Sequence, residues 1–368
     1  MTKKRIYLSP PHLGDNELKY IKDAFEQNWI TTSGDNLDAF EKEICNNAGV
    51  ENCVALNSGT AAIHLALLSL GIEKGDEVIC SSFTFIASAN PIVYVGATPV
   101  FVDSETDTWN MSPELLEKAI LDRIKKGKKP KAIVVVHLFG QPAKLNELIK
   151  IASAYEIPIL EDAAESLGST YGGKMTGSFG SIGIYSFNGN KIITTSGGGA
   201  LITNNKQIAE KAKFLATQAR DKAPHYQHSE TGYNYRMSNV LAGIGLGQLE
   251  VLQNRIKRKR AIFDYYKKQL EPTEKFSFLG EFKNTYSNRW LTVIISLKEN
   301  PEVLKAKLEA DSIESRPVWK PLHLQPVFKD APAYVDGTSE QLFEKGLCLP
   351  SGTAMTEEDM NRIILLLK

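Results

Sequence analysis

The chain has 368 residues, a length at which two packed units are expected in place of one continuous core. Hydrophobic residues make up 42% and charged residues 23%, the balance of a soluble globular enzyme. Its 43 basic and 43 acidic residues cancel, which removes the electrostatic case for nucleic acid or an anionic membrane surface and leaves a small molecule as the expected partner.

The four cysteines, Cys45, Cys53, Cys80 and Cys348, include no Cys-x-x-Cys pair, and Cys53 and Cys80 lie in apolar strand-like runs. Reduced thiols are therefore expected. The basic start, Met1 to Arg5, lacks the apolar stretch of a signal peptide and no run reaches membrane-spanning length, so a cytoplasmic location is expected. His137 and His323 are not at a metal-ligand spacing, and no metal is expected.

A Pro-containing leading segment, 8–14, precedes a predicted helix over 16–27 with Leu18, Ile21 and Phe25 on one face. Leu37, Phe40 and Ile44 have the spacing of a second amphipathic helix. From Cys53 onward, apolar runs at 53–56, 77–80, 98–102, 132–136 and 157–160 alternate with helical stretches at 60–70, 84–95, 113–124 and 144–155. Such alternation predicts an α/β fold with a mixed, mainly parallel sheet covered on both faces by helices. Ligands of such sheets sit beyond the carboxyl ends of the strands.

An apolar segment from Gly183 runs into Lys191, then into Gly197-Gly198-Gly199 and a second apolar segment. A helix is predicted over 207–216, followed by a polar, aromatic-rich loop at 218–236 that is too long for an ordinary connector. Residues 238–270 read as a long helix broken near Asn254. The predicted organisation is a large domain, 1–254, and a smaller C-terminal α+β domain, 255–368, with a strand at 290–297 and helices at 301–309 and 357–367.

Three stretches carry chemistry. Lys191 has small or uncharged neighbours and no carboxylate close in sequence, which suits an amine that must lose its proton to form a Schiff base with an aldehyde. The alternative is a lysine ending a strand in a surface loop. Asn57-Ser58-Gly59-Thr60 joins a strand to a helix and offers amides to an anion, or forms an ordinary helix cap. Glu161-Asp162-Ala163-Ala164-Glu165 follows a strand, where Asp162 could pair with a protonated heterocyclic nitrogen, although three carboxylates so close could also be a solvated turn. A phosphate site, an acid for a ring nitrogen and a reactive lysine are together what pyridoxal 5′-phosphate (PLP) requires.

With these residues the chain resembles the PLP-dependent nucleotide-sugar aminotransferases of the DegT/StrS type. The resemblance rests on residues 56–62, 82–87, 96–103, Glu161-Asp162-Ala163-Ala164, Ser186-Phe187 with Asn190-Lys191, and 232–238. It implies a fold-type I PLP-dependent transferase in which Lys191 is the Schiff-base lysine and Asp162 the partner of the pyridine nitrogen. Phe85 would stack on the ring, and Gly59, Thr60 and Ser186 would hold the phosphate. Asn234 is expected to reach the phosphate in the neighbouring subunit, which makes the acting unit a homodimer with shared sites. Arg236 and His323 are expected on the substrate side. Glu165 stands where many members carry Gln or His near the cofactor hydroxyl. In this it resembles the branch acting on UDP-linked 4-keto sugars of the bacillosamine pathway, as do residues 188–199, Asn288-Arg289-Trp290 and 316–320. The implied reaction moves the amino group of L-glutamate to a UDP-linked 4-keto-6-deoxy-N-acetyl-hexosamine. A dTDP- or GDP-linked 3- or 4-keto sugar, or a PLP-binding regulator without activity, is the alternative.

Two further patterns have plainer readings. Gly243-Ile244-Gly245-Leu246-Gly247 lies inside a predicted helix and not after a strand, so close helix packing is expected in place of dinucleotide binding. The run Arg255 to Arg260 reads as a solvated helix face. His137, at a strand end, is either a cofactor-facing or a core histidine.

Overall fold

The computed structural model describes residues 3–368. In chain order, α1 (Glu17–Glu26) and α2 (Asp35–Ala48) lead into β1 (Asn52–Leu56), α3 (Gly59–Ser69), β2 (Glu77–Ser81), a short α4 (Asn90–Tyr94) and β3 (Thr98–Val102). Next come α5 (Pro113–Lys125), β4 (Ala132–Val136), α6 (Leu145–Ala154) and β5 (Ile159–Asp162). A hairpin of β6 (Thr170–Tyr171) and β7 (Lys174–Met175) precedes β8 (Ile182–Ser186), β9 (Gly199–Thr203) and α7 (Lys206–Ala216). Helices α8 (Asn239–Glu250) and α9 (Leu252–Leu270) lead to β10 (Phe276–Phe278), β11 (Thr285–Tyr286), β12 (Thr292–Ser296), α10 (Pro301–Ala310) and β13 (Arg316–Pro317). The chain ends with β14 (Ala333–Tyr334), α11 (Thr338–Lys345), β15 (Gly346–Leu349) and α12 (Glu357–Leu367).

Eight strands form one sheet in the order β1-β9-β8-β5-β4-β2-β3-β14, in which β9 alone runs against its neighbours. Strand residues alternate between its two faces. On β1, Val54 and Leu56 pack with α3 and α7, while Ala55 packs with α2 and α8. On β4, Ala132 and Val134 join the α3 side, while Ile133 and Val135 meet α5 and α6. Both faces are thus covered, and each fully buried Val, Leu or Ile contributes about 1.5–3 kcal/mol. The second unit is an antiparallel sheet, β10-β12-β15-β13, packed on α9, α10 and α12 through Ile262, Tyr266, Ile294, Leu304 and Ile363. An apolar seam including Phe83, Phe139, Trp290, Val293 and Val318 joins the two units.

Two connections cross between the units. Strand β14 comes late in the chain yet pairs with β3, and Ile6, near the start, bridges to Ile313. The buried Asp103 carboxylate fastens the first crossing by accepting N–H bonds from Asp336, Gly337 and Ser339 at 3.0–3.1 Å.

The helix expected over 238–270 breaks at Val251, earlier than Asn254. The helix expected over 84–95 is only a turn at Ile86–Ser88 followed by α4, which leaves Thr84 and Phe85 in open chain. The glycines of α8 lie inside the helix, where a Cβ at Gly245 would stand 2.5 Å from the Phe40 ring and one at Gly247 2.7 Å from the Glu17 nitrogen. They let α1 and α2 approach closely. The basic run on α9 is not a solvated face. Arg255 donates to the His12 and Leu13 carbonyls and Arg258 to the Met355 carbonyl, Arg260 pairs with Glu281, and Lys259 is buried. Among the described residues no helix is long and apolar enough to cross a membrane.

Candidate active site

The carboxyl ends of β1, β2, β5 and β8 open on one cavity of about 510 Å³. At the end of β1 the chain enters α3 through Ser58, in extended backbone, whose hydroxyl accepts from the Ala61 N–H at 3.0 Å. Gly59 and Thr60, the first two residues of the helix, line the cavity, and the first turn of a helix leaves its N–H groups for an anion. A Cβ at Gly59 would stand 3.2 Å from the Cβ of Ser186, the last residue of β8, so glycine lets that hydroxyl close the other side of the cradle. Gly197 and Gly198 line the same cavity, and Gly199 carries β9 past the Ser58–Gly59 backbone with no room for a side chain.

Asp162 is the last residue of β5, held in register between Val136 and Ile184. Its Oδ2 accepts from Ser88 Oγ at 2.6 Å and its Oδ1 from the Ala164 N–H at 3.2 Å, while Thr84 Oγ1 lies 3.0 Å from Ser88 Oγ. The preceding residue, Glu161, points away, as strand alternation requires. It accepts N–H bonds from Gly177, Phe179 and Gly180 and lies 3.0 Å from His137 Nε2. Burial pushes the Glu161 carboxyl up, but His137 and the backbone donors outweigh it and hold the group below the usual carboxylate range. His137 takes the Ala143 N–H on Nδ1 at 3.1 Å, so its Nε2 is the donor to Glu161 and it is a core histidine. Glu161, Asp162 and Glu165 are all buried, which excludes the solvated turn.

Lys191 extends its Nζ to 3.8 Å from Glu165 Oε1 and 4.3 Å from the centre of the Trp290 ring. Glu165 Oε2 accepts from the N–H of Phe139, whose φ of 53° lies in the left-handed region, at 2.7 Å. Burial pushes the Glu165 carboxyl up, and the opposing pull of Lys191 and the Phe139 N–H does not compensate. Asn288 donates to the carbonyls of Glu165 at 3.0 Å and Leu167 at 2.9 Å, and its Oδ1 accepts from the Trp290 N–H. Asn288 leaves no space for a Cβ at position 140, where φ is +89°, so Gly140 answers both constraints.

The cavity thus brings together seven residues expected at the site: Gly59, Thr60, Phe85, Asp162, Glu165, Ser186 and Lys191. These residues fit PLP. Helix amides and a hydroxyl suit its phosphate, a buried carboxylate its ring nitrogen, and an amine its aldehyde. The buried indole Nε1 of Trp319, which lines the cavity, faces Glu165 and pulls against the rise of that carboxyl. Phe85 is 48% exposed, with its ring tilted by 53° to that of Trp319 at 5.2 Å.

Arg236 and His323 do not line this cavity, and neither does Asn234, which is expected to serve the neighbouring subunit. Asn234 is exposed on its loop, where its carbonyl accepts from the Asn57 side chain at 3.4 Å. Arg236, assigned to substrate, is instead buried against β1, where it forms a two-pronged pair with Glu41 and donates to the Ala55 carbonyl at 2.9 Å. All three of these bonds serve the fold. His323 does not line the cavity; its ring nitrogens lie 2.7 Å from Ser82 Oγ and 3.2 Å from Glu340. In their place the cavity is completed by Ser88, Trp290, Arg316 and Trp319. The last three come from the second unit, and the sequence signal for them was confined to the familiar look of Asn288–Trp290 and 316–320.

The DegT/DnrJ/EryC1/StrS aminotransferase family model matches residues 11–368. The chain is 51% identical to EpsN of Bacillus subtilis (strain 168) over 366 residues, covering 98% of this chain and 94% of that protein. It is 37% identical over 358 residues to the GDP-perosamine synthase of Escherichia coli O157:H7, covering 97% and 96% of the two chains. The PLP form of Spr1654 from Streptococcus pneumoniae superposes with a TM-score of 0.90 at 28% identity, over 99% of this chain and 98% of that one. With an amine, an acid and an anion cradle converging in a fold-type I architecture, the chain belongs to the DegT/DnrJ/EryC1/StrS family of PLP-dependent sugar aminotransferases.

Proposed function

We propose that the protein transfers the amino group of L-glutamate to the ketone of a nucleotide-linked keto sugar, giving 2-oxoglutarate and the amino sugar. The observation that carries this is the convergence of Lys191, Asp162 and the Gly59–Thr60 helix start on one cavity. PLP, when bound, supplies an aldehyde that exchanges amino groups and a ring that withdraws electrons. Asp162, oriented by Ser88 and Ala164, holds the proton on the ring nitrogen. Lys191 would hold the cofactor through its amine and, when that amine is free, would move a proton at its Nζ in each half of the reaction. Gly59, Thr60 and Ser186 bind the phosphate. Trp290 and Trp319 exclude water from one wall of the cavity. The acting unit is a homodimer, in which Asn234 of the partner subunit completes the phosphate site. The exposure of Asn234 on the long 218–236 loop supports this.

For the acceptor we propose a UDP-linked 4-keto-6-deoxy-N-acetyl-hexosamine, supported by Glu165 in the cavity and by the resemblance of residues 188–199 to that branch. A GDP-linked keto sugar is the second reading, supported by the 37% identity to a GDP-perosamine synthase. Incubating the PLP-loaded protein with glutamate and UDP-, GDP- or dTDP-linked keto sugars, with products identified by mass, tests both. Amination of the UDP sugar alone is expected. Amination of the GDP sugar alone would replace the first reading with the second, and no product from any sugar would overturn both. Lys191→Ala is expected to lower turnover on the order of 10⁴-fold, measured as 2-oxoglutarate released.

A further inference from the structure

Lys259, on α9, is 2% exposed and has no carboxylate within ion-pair distance among the described residues. Its Nζ instead reaches three neutral oxygens: Ser9 Oγ at 3.0 Å, the Trp290 carbonyl at 2.8 Å and the Ser351 carbonyl at 3.0 Å. There is one acceptor for each N–H of an ammonium. The three lie on the segment before α1, the segment leading into β12 and the segment after β15, so a single amine ties together parts distant in sequence.

Two of these partners converge on one further atom. Ser9 Oγ donates to the Asn190 carbonyl at 3.2 Å, and Trp290 Nε1 donates to the same oxygen at 2.8 Å. That carbonyl belongs to the peptide joining Asn190 to Lys191, and the Trp290 ring lies 4.3 Å from Lys191 Nζ. A buried cation without a counter-ion is unfavourable, and an apolar side chain of similar volume would serve packing better. Burial alone pulls the Lys259 amine down to about 7, the mark of that cost. A fixed arrangement of donors is what an apolar residue could not supply.

We propose that Lys259 is a positioning residue for Lys191: by fixing Ser9 and Trp290 as paired donors to the Asn190 carbonyl, it sets the backbone from which the catalytic amine enters the cavity. The effect runs from Lys259 to Ser9 and Trp290, from these to the Asn190 carbonyl, and from there to Nζ of Lys191. It requires no contact between Lys259 and substrate.

The test uses Ser9→Ala, Lys259→Met and the double variant of the PLP-loaded enzyme, in the half-reaction with L-glutamate followed by cofactor absorbance. It rests on glutamate as donor; a silent wild-type enzyme would refute that reading and leave the second measurement below to decide this one. Each single variant is expected to react roughly tenfold more slowly, the effect of one misplaced charge-assisted hydrogen bond, with the apparent glutamate affinity within about twofold of wild type. The double variant is expected to be no slower than the slower single one, because both act through one carbonyl. The second measurement is Trp290 fluorescence in the cofactor-free protein, taken as the difference from Trp290→Phe, and it should shift in both single variants. A folded Lys259→Met with the wild-type rate and unshifted fluorescence would overturn the proposal, as would additive losses. Should Lys259→Met fail to fold, a wild-type rate and unshifted fluorescence in Ser9→Ala overturn it alone.

Discussion

Glu165 and Lys191 face each other at 3.8 Å, too far for a direct hydrogen bond, and burial rather than pairing governs the carboxyl. Its pKa is raised in the folded protein, so the folded state holds a proton that the unfolded chain releases near the ordinary value of 4.5. Stability from this group is complete below that value and is lost as pH rises through the folded pKa. Glu165→Gln keeps an acceptor for the Phe139 N–H and removes the titration. Urea unfolding of the cofactor-free proteins is therefore expected to favour Glu165→Gln more at pH 8 than at pH 4.5. An advantage that shrank with rising pH would contradict the role of burial. The sequence made Glu165 visible as a departure from its relatives, but not its burial, because the Phe139 turn and Asn288 that enclose it lie far along the chain.

Helices α8 and α9 illustrate what a linear pattern can and cannot reveal. The glycines of α8 were legible as a packing surface because small residues inside a helix have few other uses. Gly245→Val would push a side chain into the fully buried Phe40 ring, and a loss of about 1–3 kcal/mol is expected from the urea midpoint. The basic run on α9 misled, since five basic residues out of six look solvated when read in sequence. The corrective signal was helical: Leu252, Ile256, Lys259, Phe263, Tyr266 and Leu270 are buried at three- and four-residue steps, which puts the lysine in the apolar stripe. An amine lowered from 10.5 to about 7 on folding leaves the folded state with fewer protons than the unfolded chain between those values. Stability therefore rises with pH across that window, by about 1.4 kcal/mol per unit, and the cost is greatest below it. Relative to Lys259→Met, which lacks the titration, the wild-type protein is expected to gain in urea midpoint between pH 7.5 and pH 9.

Across the whole molecule, alternating strands and helices announced the sheet because each element's pattern is local. Lys191, Asp162 and Gly59 were legible for the same reason: each sits where a local apolar run ends. Arg236 was not, since its partner Glu41 lies on α2, and neither were Trp290 and Trp319, which reach the cavity only once the second unit packs against the first. Asp103, at the end of β3, carries much of that union by receiving three N–H groups from residues 336–339. Asp103→Ala is expected to lower global stability by about 3 kcal/mol, measured by urea unfolding, because the donors lose a charged acceptor. A loss confined to the second unit, seen as two separate transitions, would show that the crossing does not couple the units.

The place of β14 also governs the order in which the protein can be made. The large sheet begins with residues near position 52, yet its outer strand beyond β3 is supplied by Ala333–Tyr334. During synthesis from the N-terminus, the first unit must wait with an open sheet edge until nearly the whole polypeptide has emerged, and an open edge is a template for pairing with another chain. The edge is therefore open from the emergence of β3 onward, and a chain ended before residue 333 would keep Phe101 and Val102 without their outer partner.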